Sequence, residues 1–278
     1  MLTLDPKELE IPQLHRYLLG AIGPRPIAFA STIDANGNAN LSPFSFFNVF
    51  SANPPIMIFS PARSGRTGAT KNTLDNVKEV KEVVINVVNH DIVHQMSLSS
   101  SPYESHVDEF VKSGLTPVPS DLIKPFRVKE SPVQFECKVN EIIELGKNGG
   151  AGNLVICEVV KIHINEAVLD EKGMIDQHKI DLVSRMGGNW YCRADKNSMF
   201  EIQKPITTIG IGVDQIPAKI RNSTILTGND LGLLGGVEAI PTDEEVTDFN
   251  VQSGDKHQIA KELLAKGEVM EAWKTLLK

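Results

Sequence analysis

Alternation of apolar and polar positions predicts that roughly the first 170 residues are rich in β-strands. Strand patterns lie, in chain order, at 25–33, 38–46, 56–59, 82–88, 132–145 and 153–169. The last two, VQFECKVNEI and LVICEVVKIHI, alternate most regularly, which is typical of antiparallel strands with one buried face. Asn36-Gly37 separates the first two strands and predicts a tight hairpin, because both residues tolerate a positive φ. We therefore expect an antiparallel, barrel-like sheet.

Helical periodicity lies between these strands and at the end of the chain. Helices are predicted at 7–21, 73–81, 89–98 and 108–113, and then, after a last strand at 206–213, at 217–223, 229–234, 242–249 and 255–278. Gly114 predicts the end of the fourth helix, and Gly267 marks a break in the last. We expect a strand-rich domain at residues 1–200 and a mostly helical C-terminal extension at 201–278.

Composition narrows the classes of function. A hydrophobic content of 41% and a charged content of 23% indicate a globular protein. The net charge of −7 comes without a basic stripe, so nucleic acid is not an expected partner. The chain has neither a run of about 18 apolar residues nor a secretory core at its N-terminus, so we expect a cytoplasmic protein without a membrane segment. Three widely spaced cysteines predict neither a zinc knuckle nor a disulfide framework.

The candidate chemistry is concentrated in residues 40–76. Short polar side chains mixed with phenylalanines can hold a flat heteroaromatic ring, and this mixture comprises Asn40, Ser42, Phe44, Ser45, Phe46 and Asn48. Lys71 and Thr73 lie at a predicted helix start, where free N–H groups favour a phosphate. We expect Thr70 or Asn72 to cap that helix. The same residues also suit an ordinary hairpin, loop and capped helix, and both interpretations stay open.

The remaining motifs are weaker indications of function than residues 40–76. The loop before Lys71 is not a Walker A motif, because Gly68 stands three residues before the lysine and Asn72 follows it. His90 and His94 are spaced for one helix face, but no third ligand accompanies them and no metal site is predicted. Tyr103 and His106 are candidates to line a substrate opening, with a plain surface loop as the alternative.

Several segments together resemble the flavin reductase-like, FMN-binding split-barrel family, which includes flavoredoxin. The segments are GPRPIAF (23–29), NLSPFSFFN (40–48), PP (54–55), KNTLDN (71–76) and RMGGNWY (185–191). The resemblance covers roughly residues 20–195. One position departs from the family pattern, which usually has Lys-Asp-Thr where this chain has Lys71-Asn72-Thr73. The asparagine keeps a capping side chain but removes a negative charge.

The resemblance implies an FMN-binding split β-barrel with inserted helices, and a homodimer with two FMN sites near its interface. It also implies an oxidoreductase in which NAD(P)H delivers a hydride to FMN N5 and the reduced flavin passes electrons to an acceptor that the sequence does not identify. The alternative is a flavoredoxin-like electron carrier that works with a protein donor and lacks NAD(P)H activity. A third interpretation is a binding module whose barrel has lost the flavin.

The resemblance assigns the cofactor-binding residues to three groups. The first group would donate or accept hydrogen bonds at the isoalloxazine edge or the ribityl chain, or would pack against the ring. It comprises Asn40, Ser42, Pro43, Phe44, Ser45, Phe46 and Asn48. The second would hold the phosphate and comprises Lys71, Asn72 and Thr73, assisted by Arg63 or Arg66. The third, Met186 to Trp190, would close the site. Hydride transfer needs no acid or base, so no catalytic residue is assigned.

Overall fold

A seven-stranded sheet, in which every neighbouring pair is antiparallel, organises the N-terminal part of the protein. The computed structural model describes residues 1–104 and 106–278, and the chain divides into two units, Met1–Phe200 and Glu201–Lys278. The sheet belongs to the first unit. Its antiparallel pairing confirms the architecture predicted from the alternation pattern.

The strands of the first unit are β1 (Ala28–Ile33), β2 (Ala39–Phe44), β3 (Phe47–Ala52), β4 (Pro55–Phe59), β5 (Glu82–Asn86), β6 (Pro117–Val118), β7 (Arg127–Val128), β8 (Val133–Glu144), β9 (Asn153–Ile164), β10 (Val183–Arg185) and β11 (Tyr191–Arg193). The large sheet has the order β2-β1-β5-β8-β9-β4-β3, and β6–β7 and β10–β11 form two small hairpins.

The two edge strands of the large sheet are consecutive in the sequence. Only Ser45 and Phe46 connect the end of β2 to the start of β3. Phe44 and Phe47 are three residue steps apart, so their Cα atoms lie at most about 11 Å from each other and the sheet curls until its edges approach. The edges do not pair, so the barrel is split between β2 and β3.

Among the residues that the structure describes in this unit, four α-helices accompany the sheet: α1 (Ile11–Ala21), α2 (Asn72–Glu79), α3 (Val93–Ser99) and α4 (Glu109–Ser113). Short 3₁₀ turns lie at Pro6–Glu8, His90–Ile92 and Glu166–Val168. The helix predicted at 7–21 begins later, with Pro12 in its first turn, where the missing N–H costs nothing. The helix predicted at 73–81 ends at Glu79, because Lys81 has a left-handed φ of 60°.

Helix α2 lies against β1 and β2 and closes one side of the barrel. Leu74 and Val77 of α2 are buried in the same core as Ala28 and Phe59 of the sheet. The opposite face of β1 is also covered, since Phe29 packs with residues of α3 and α4. This packing fixes the N-terminus of α2 beside the β2 edge of the split.

The second unit contains five helices: α5 (Ala218–Arg221), α6 (Gly228–Gly235), α7 (Asp243–Thr247), α8 (Lys256–Ala265) and α9 (Val269–Leu277). Trp273 is fully buried in its core and donates its indole N–H to the Leu234 carbonyl at 3.0 Å. The break predicted at Gly267 is confirmed, with a φ of 80° that ends α8.

The strand predicted at 206–213 is wrong. Ile211 and Gly212 donate backbone hydrogen bonds to Val237 and Gly235, but no strand forms there. The backbones approach so closely that a Cβ on Gly210 would lie 2.5 Å from the Gly235 carbonyl oxygen. Among the described residues, no helix is both long enough and apolar enough to cross a membrane.

Candidate functional site

Two clefts open beside the split between β2 and β3. The polar cleft, of about 180 Å³, lies between Asn40, Thr73 and Tyr103. The aromatic cleft, of about 250 Å³, lies between His15, Phe44 and Phe46. Both clefts are lined by Ser42, Lys71 and Ser100. They therefore adjoin and form one groove with a polar end and an aromatic end.

The polar cleft contains the N-terminus of α2. Lys71 is the N-cap residue, and its side chain forms no capping hydrogen bond. The backbone N–H groups of Asn72 and Thr73 have no acceptor in the part of the chain that the structure describes. The predicted cap by Thr70 or Asn72 is wrong, because the Thr70 hydroxyl donates to the Asp75 carboxylate at 2.9 Å instead. The cleft thus carries free donors and the positive end of a helix dipole.

Lys71 adds a positive charge at the point where the two clefts meet. Its side chain is exposed and forms no ion pair within residues 1–104 and 106–278. A charged amine beside free helix N–H groups is a donor set that suits an anion.

The polar side-chain atoms of Asn40 form hydrogen bonds within the protein. It is 7% exposed, and its amide donates to the Glu109 carboxylate at 3.0 Å. Its carbonyl oxygen accepts from the Thr73 hydroxyl at 2.7 Å. The second Glu109 oxygen accepts from the Leu41 backbone N–H at 3.0 Å. This network ties β2, α2 and α4 together behind the polar cleft, and leaves Asn40 and Thr73 few free polar atoms.

Phe44 and Phe46 form different parts of the aromatic cleft. Phe44 is buried, with its ring centroid 5.6 Å from that of Phe59. Phe46 is partly exposed and meets the ring of His15 edge to face at 6.4 Å. Pro43 and Ser45 also line this cleft. The Phe44 side of the cleft is therefore buried, and the Phe46 side is open to solvent.

A buried guanidinium holds the surroundings of the aromatic cleft in place. Arg25 donates to the backbone carbonyls of Leu19 (2.9 Å) and Ile22 at the end of α1, and of Met186 (2.9 Å) in the β10–β11 turn. Its Nε also reaches the Ser45 hydroxyl at 3.4 Å. Burial lowers the pKa of Arg25, and the nearby charge of Arg185 acts in the same direction.

Five residues assigned to the site from the sequence line neither cleft. Asn48 is exposed on β3, and its side chain accepts from the Val49 N–H at 2.8 Å. Arg63 pairs with Glu144 at 3.0 Å, and Arg66 is exposed in the loop before α2. The last two, Met186 and Trp190, lie in the β10–β11 turn. The Met186 sulfur packs 3.2 Å from where a Cβ of Gly23 would lie, whereas the Trp190 side chain is exposed.

The residues that the sequence did not single out include His15, Leu19, Ser100 and Glu109, which line the groove, and Arg25, which bonds to Ser45. Tyr103 lines the polar cleft as a candidate residue, whereas His106 is exposed beside Glu104. Nothing in the local sequence indicates that Arg25 and Glu109 are buried, since charged residues are ordinarily exposed.

His90 and His94 line a third cleft, of about 390 Å³, which shares no residue with the groove. The ligand atoms of His90, Asp91 and Asp181 lie within 4.8 Å of one another. Both oxygens of Asp181, however, accept from Arg193 at 2.7 Å. This arrangement favours a bidentate ion pair over a metal site.

Residues 21–181 match the family model for the flavin reductase like domain. Nitrilotriacetate monooxygenase component B from Bacillus cereus is 30% identical, and the match covers 73% of this chain and 98% of that chain, with a TM-score of 0.68. The 2-nitrobenzoate 2-nitroreductase NbaA from Pseudomonas fluorescens is 27% identical over 76% of this chain and 100% of that chain, with a TM-score of 0.67.

A candidate flavin reductase with a split barrel domain from Shewanella frigidimarina NCIMB 400 is 29% identical over 71% of this chain and 96% of that chain, with a TM-score of 0.60. The split-barrel fold implied by the sequence resemblance is thereby confirmed. These three proteins are matched almost over their full lengths, while about a quarter of this chain has no counterpart in them.

Proposed function

The chain belongs to the flavin reductase-like family and is thus a flavin-related oxidoreductase; from this premise we propose that it binds FMN and acts as an NAD(P)H-dependent flavin reductase. The observation that carries the proposal is the groove at the split of the barrel. FMN has a phosphate at one end and a flat ring at the other, and the groove has an anion-binding end and an aromatic end.

The donor set of the polar cleft fits a phosphate monoester. The free N–H groups of Asn72 and Thr73, the Lys71 amine and the Ser42 hydroxyl all offer hydrogen-bond donors. The hydroxyl of Ser100 is less available, because it donates to the Ser97 carbonyl at 2.6 Å. Lys71, Asn72 and Thr73 would thus hold the phosphate, whereas Arg63 and Arg66 line neither cleft.

The aromatic cleft would hold the ring. Phe44 and Phe46 would contact its faces or edges, and Ser42 and Ser45 offer hydroxyls to its polar atoms. A bound flavin would supply the redox chemistry, taking two electrons from a reduced nicotinamide and giving them to an acceptor. The residues of this chain bind and orient the cofactor, and Arg25 keeps Ser45, α1 and the β10–β11 turn in a fixed relation.

We propose a homodimer in which a second copy covers α1 and β3. No residue of α1 is buried, and Ile11, Leu18 and Ile22 are each more than half exposed. Val49 and Phe50 of β3 are equally exposed. His15 and Leu19 of α1 also line the aromatic cleft, so the proposed interface would lie beside the ring.

Analytical ultracentrifugation is expected to give the mass of a dimer for the wild-type protein. Phe50→Asp should shift it toward the monomer, since it would place a charge in a buried apolar contact. Val111→Asp is the matched control, because Val111 is also exposed but lies on α4. A wild-type monomer, or equal effects of the two substitutions, would contradict the proposed interface.

The proposed activity is tested by the visible spectrum of the protein loaded with FMN, recorded without oxygen. Addition of NADH or NADPH is expected to bleach the flavin band. A flavin that stays oxidised with both nucleotides, yet is reduced by dithionite, would contradict the reductase and select the flavoredoxin-like carrier. A protein that takes up no FMN would contradict both.

A further inference from the structure

Glu109 is a buried carboxylate in the wall of the polar cleft. It is 4% exposed and lines this cleft together with Lys71 and Thr73. Its two oxygens accept hydrogen bonds from the Asn40 amide and the Leu41 backbone N–H, both at 3.0 Å. Both donors are neutral, and no lysine, arginine or histidine of the described residues forms an ion pair with it. The cleft that carries free donors for an anion thus also contains a negative group.

Burial is the main reason why the pKa of Glu109 is raised. The hydrogen bonds from Leu41 and Asn40 lower the pKa, and the neighbouring charge of Asp108 raises it. A phosphate dianion in the same cleft would add a second like charge and disfavour the carboxylate further. Lys71 acts in the opposite direction, and Tyr103 is the remaining titratable group of the cleft wall.

We propose that Glu109 is a positioning residue that takes up a proton when a phosphate monoester occupies the polar cleft. The inference rests on the proposed function, since the monoester is that of FMN. Through Asn40, Glu109 fixes Thr73 at the start of α2, and its hydrogen bonds from Asn40 and Leu41 hold α4 against β2. Protonation removes the like charge and converts an acceptor-only carboxylate into a group that also has an O–H donor.

The direction of the pH dependence follows from linkage. The pKa of Glu109 is higher in the complex than in the free protein, so binding takes up a proton and the affinity falls as pH rises between the two pKa values. One linked proton changes the dissociation constant by at most about tenfold per pH unit. The phosphate has its own second pKa near about 6, and its dianion gains affinity for Lys71 above that value. The effect of Glu109 therefore has the opposite sign to that of the phosphate.

The test is a fluorescence titration of the protein of residues 1–278 with FMN at several pH values between about 6.5 and 8.5, above the phosphate pKa. Between the pKa values of Glu109 in the free protein and in the complex, the dissociation constant for FMN is expected to rise several-fold per pH unit in the wild type, whereas in Glu109→Gln it should stay nearly constant. Riboflavin, which has no phosphate, should bind both proteins without this dependence. Glu104→Gln is the control, because its carboxylate lies near the same segment but is exposed.

Calorimetry in two buffers of different ionisation enthalpy counts the protons directly and needs no variant, so it decides the question even if Glu109→Gln fails to fold. Uptake of close to one proton with FMN and none with riboflavin supports the inference. Tight FMN binding without proton uptake, or an unchanged pH slope in folded Glu109→Gln, overturns the inference alone. Absence of FMN binding to the wild type overturns the proposed function, and the inference with it.

Discussion

Replacement of Trp273 by alanine is expected to lower the free energy of unfolding of residues 201–278 by about 3–5 kcal/mol. Trp273 is fully buried among the helices of this unit, and its indole N–H bonds to the Leu234 carbonyl at 3.0 Å. The substitution would leave a cavity and an unpaired carbonyl. A unit of this length is stabilised by roughly 4–12 kcal/mol, so the loss would remove a large share of its stability.

The chain has two tryptophans, and each reports on a different unit. In Trp190→Ala, the indole of Trp273 is the only one left, and its fluorescence in a urea titration follows the second unit. In Trp273→Ala, the fluorescence of Trp190 follows the unfolding of the first unit, and far-ultraviolet circular dichroism follows the loss of helix. Trp190 is 78% exposed, so Trp190→Ala is the matched control and should change stability by less than about 0.5 kcal/mol.

The same experiment tests our proposal that residues 1–200 and 201–278 are separate domains. Each unit has a hydrophobic core of its own. The first unit should therefore keep its unfolding midpoint when Trp273 is replaced. A shift of both reporters together would contradict independent domains, and equal effects of the two tryptophan substitutions would contradict the burial argument.

Lys71→Ala is expected to weaken FMN binding by about 1.5–3 kcal/mol, the usual contribution of a hydrogen bond to a charged group. This corresponds to a dissociation constant roughly 10 to 150 times higher. Lys71 lies at the junction of the two clefts, beside the free N–H groups of α2, and has no competing ion pair among the described residues. Fluorescence titration with FMN measures the effect, and riboflavin should bind with nearly unchanged affinity.

Arg66→Ala is the control for this prediction. It removes the same charge from the loop that precedes α2, but Arg66 lines neither cleft. We expect its effect on FMN affinity to stay within about twofold, as for an exposed charge at a distance from the ligand. An equal loss in both variants would show that general positive charge, rather than Lys71 itself, holds the phosphate.

Local patterns predicted those parts of the fold that depend on local physics. The alternation in β8 and β9 follows from one buried face, and Gly37 has the left-handed φ, 87°, that its turn requires. Strand β3 was missed because a bulge between Val49 and Ser51 inserts Phe50 out of phase with the alternation. Closure of the sheet at Ser45 and Phe46 was also beyond local patterns, since it depends on the pairing of strands far apart in the sequence.

The residues of the candidate site divide in the same way, into those that local sequence predicts and those that depend on distant segments. Lys71, Asn72 and Thr73 could be placed from the sequence because a helix start exposes its N–H groups whatever surrounds it. Arg25 and Glu109 could not, because their importance comes from burial against distant segments. Asn40 was identified as a polar residue of the site, but its partners, Glu109 and Thr73, become neighbours only through the packing of α2 and α4 on β2.

The two clefts share Ser42, Lys71 and Ser100. Because the clefts adjoin, one molecule that reaches both ends of the groove could bind to both at once. Riboflavin or inorganic phosphate alone would lose nearly as much translational and rotational freedom as FMN does, while gaining the contacts of one end only. The ribityl tether raises the effective molarity of the second end once the first has bound. The affinity for FMN would therefore exceed either of the two separate affinities, and a mixture of the fragments would not replace the intact molecule.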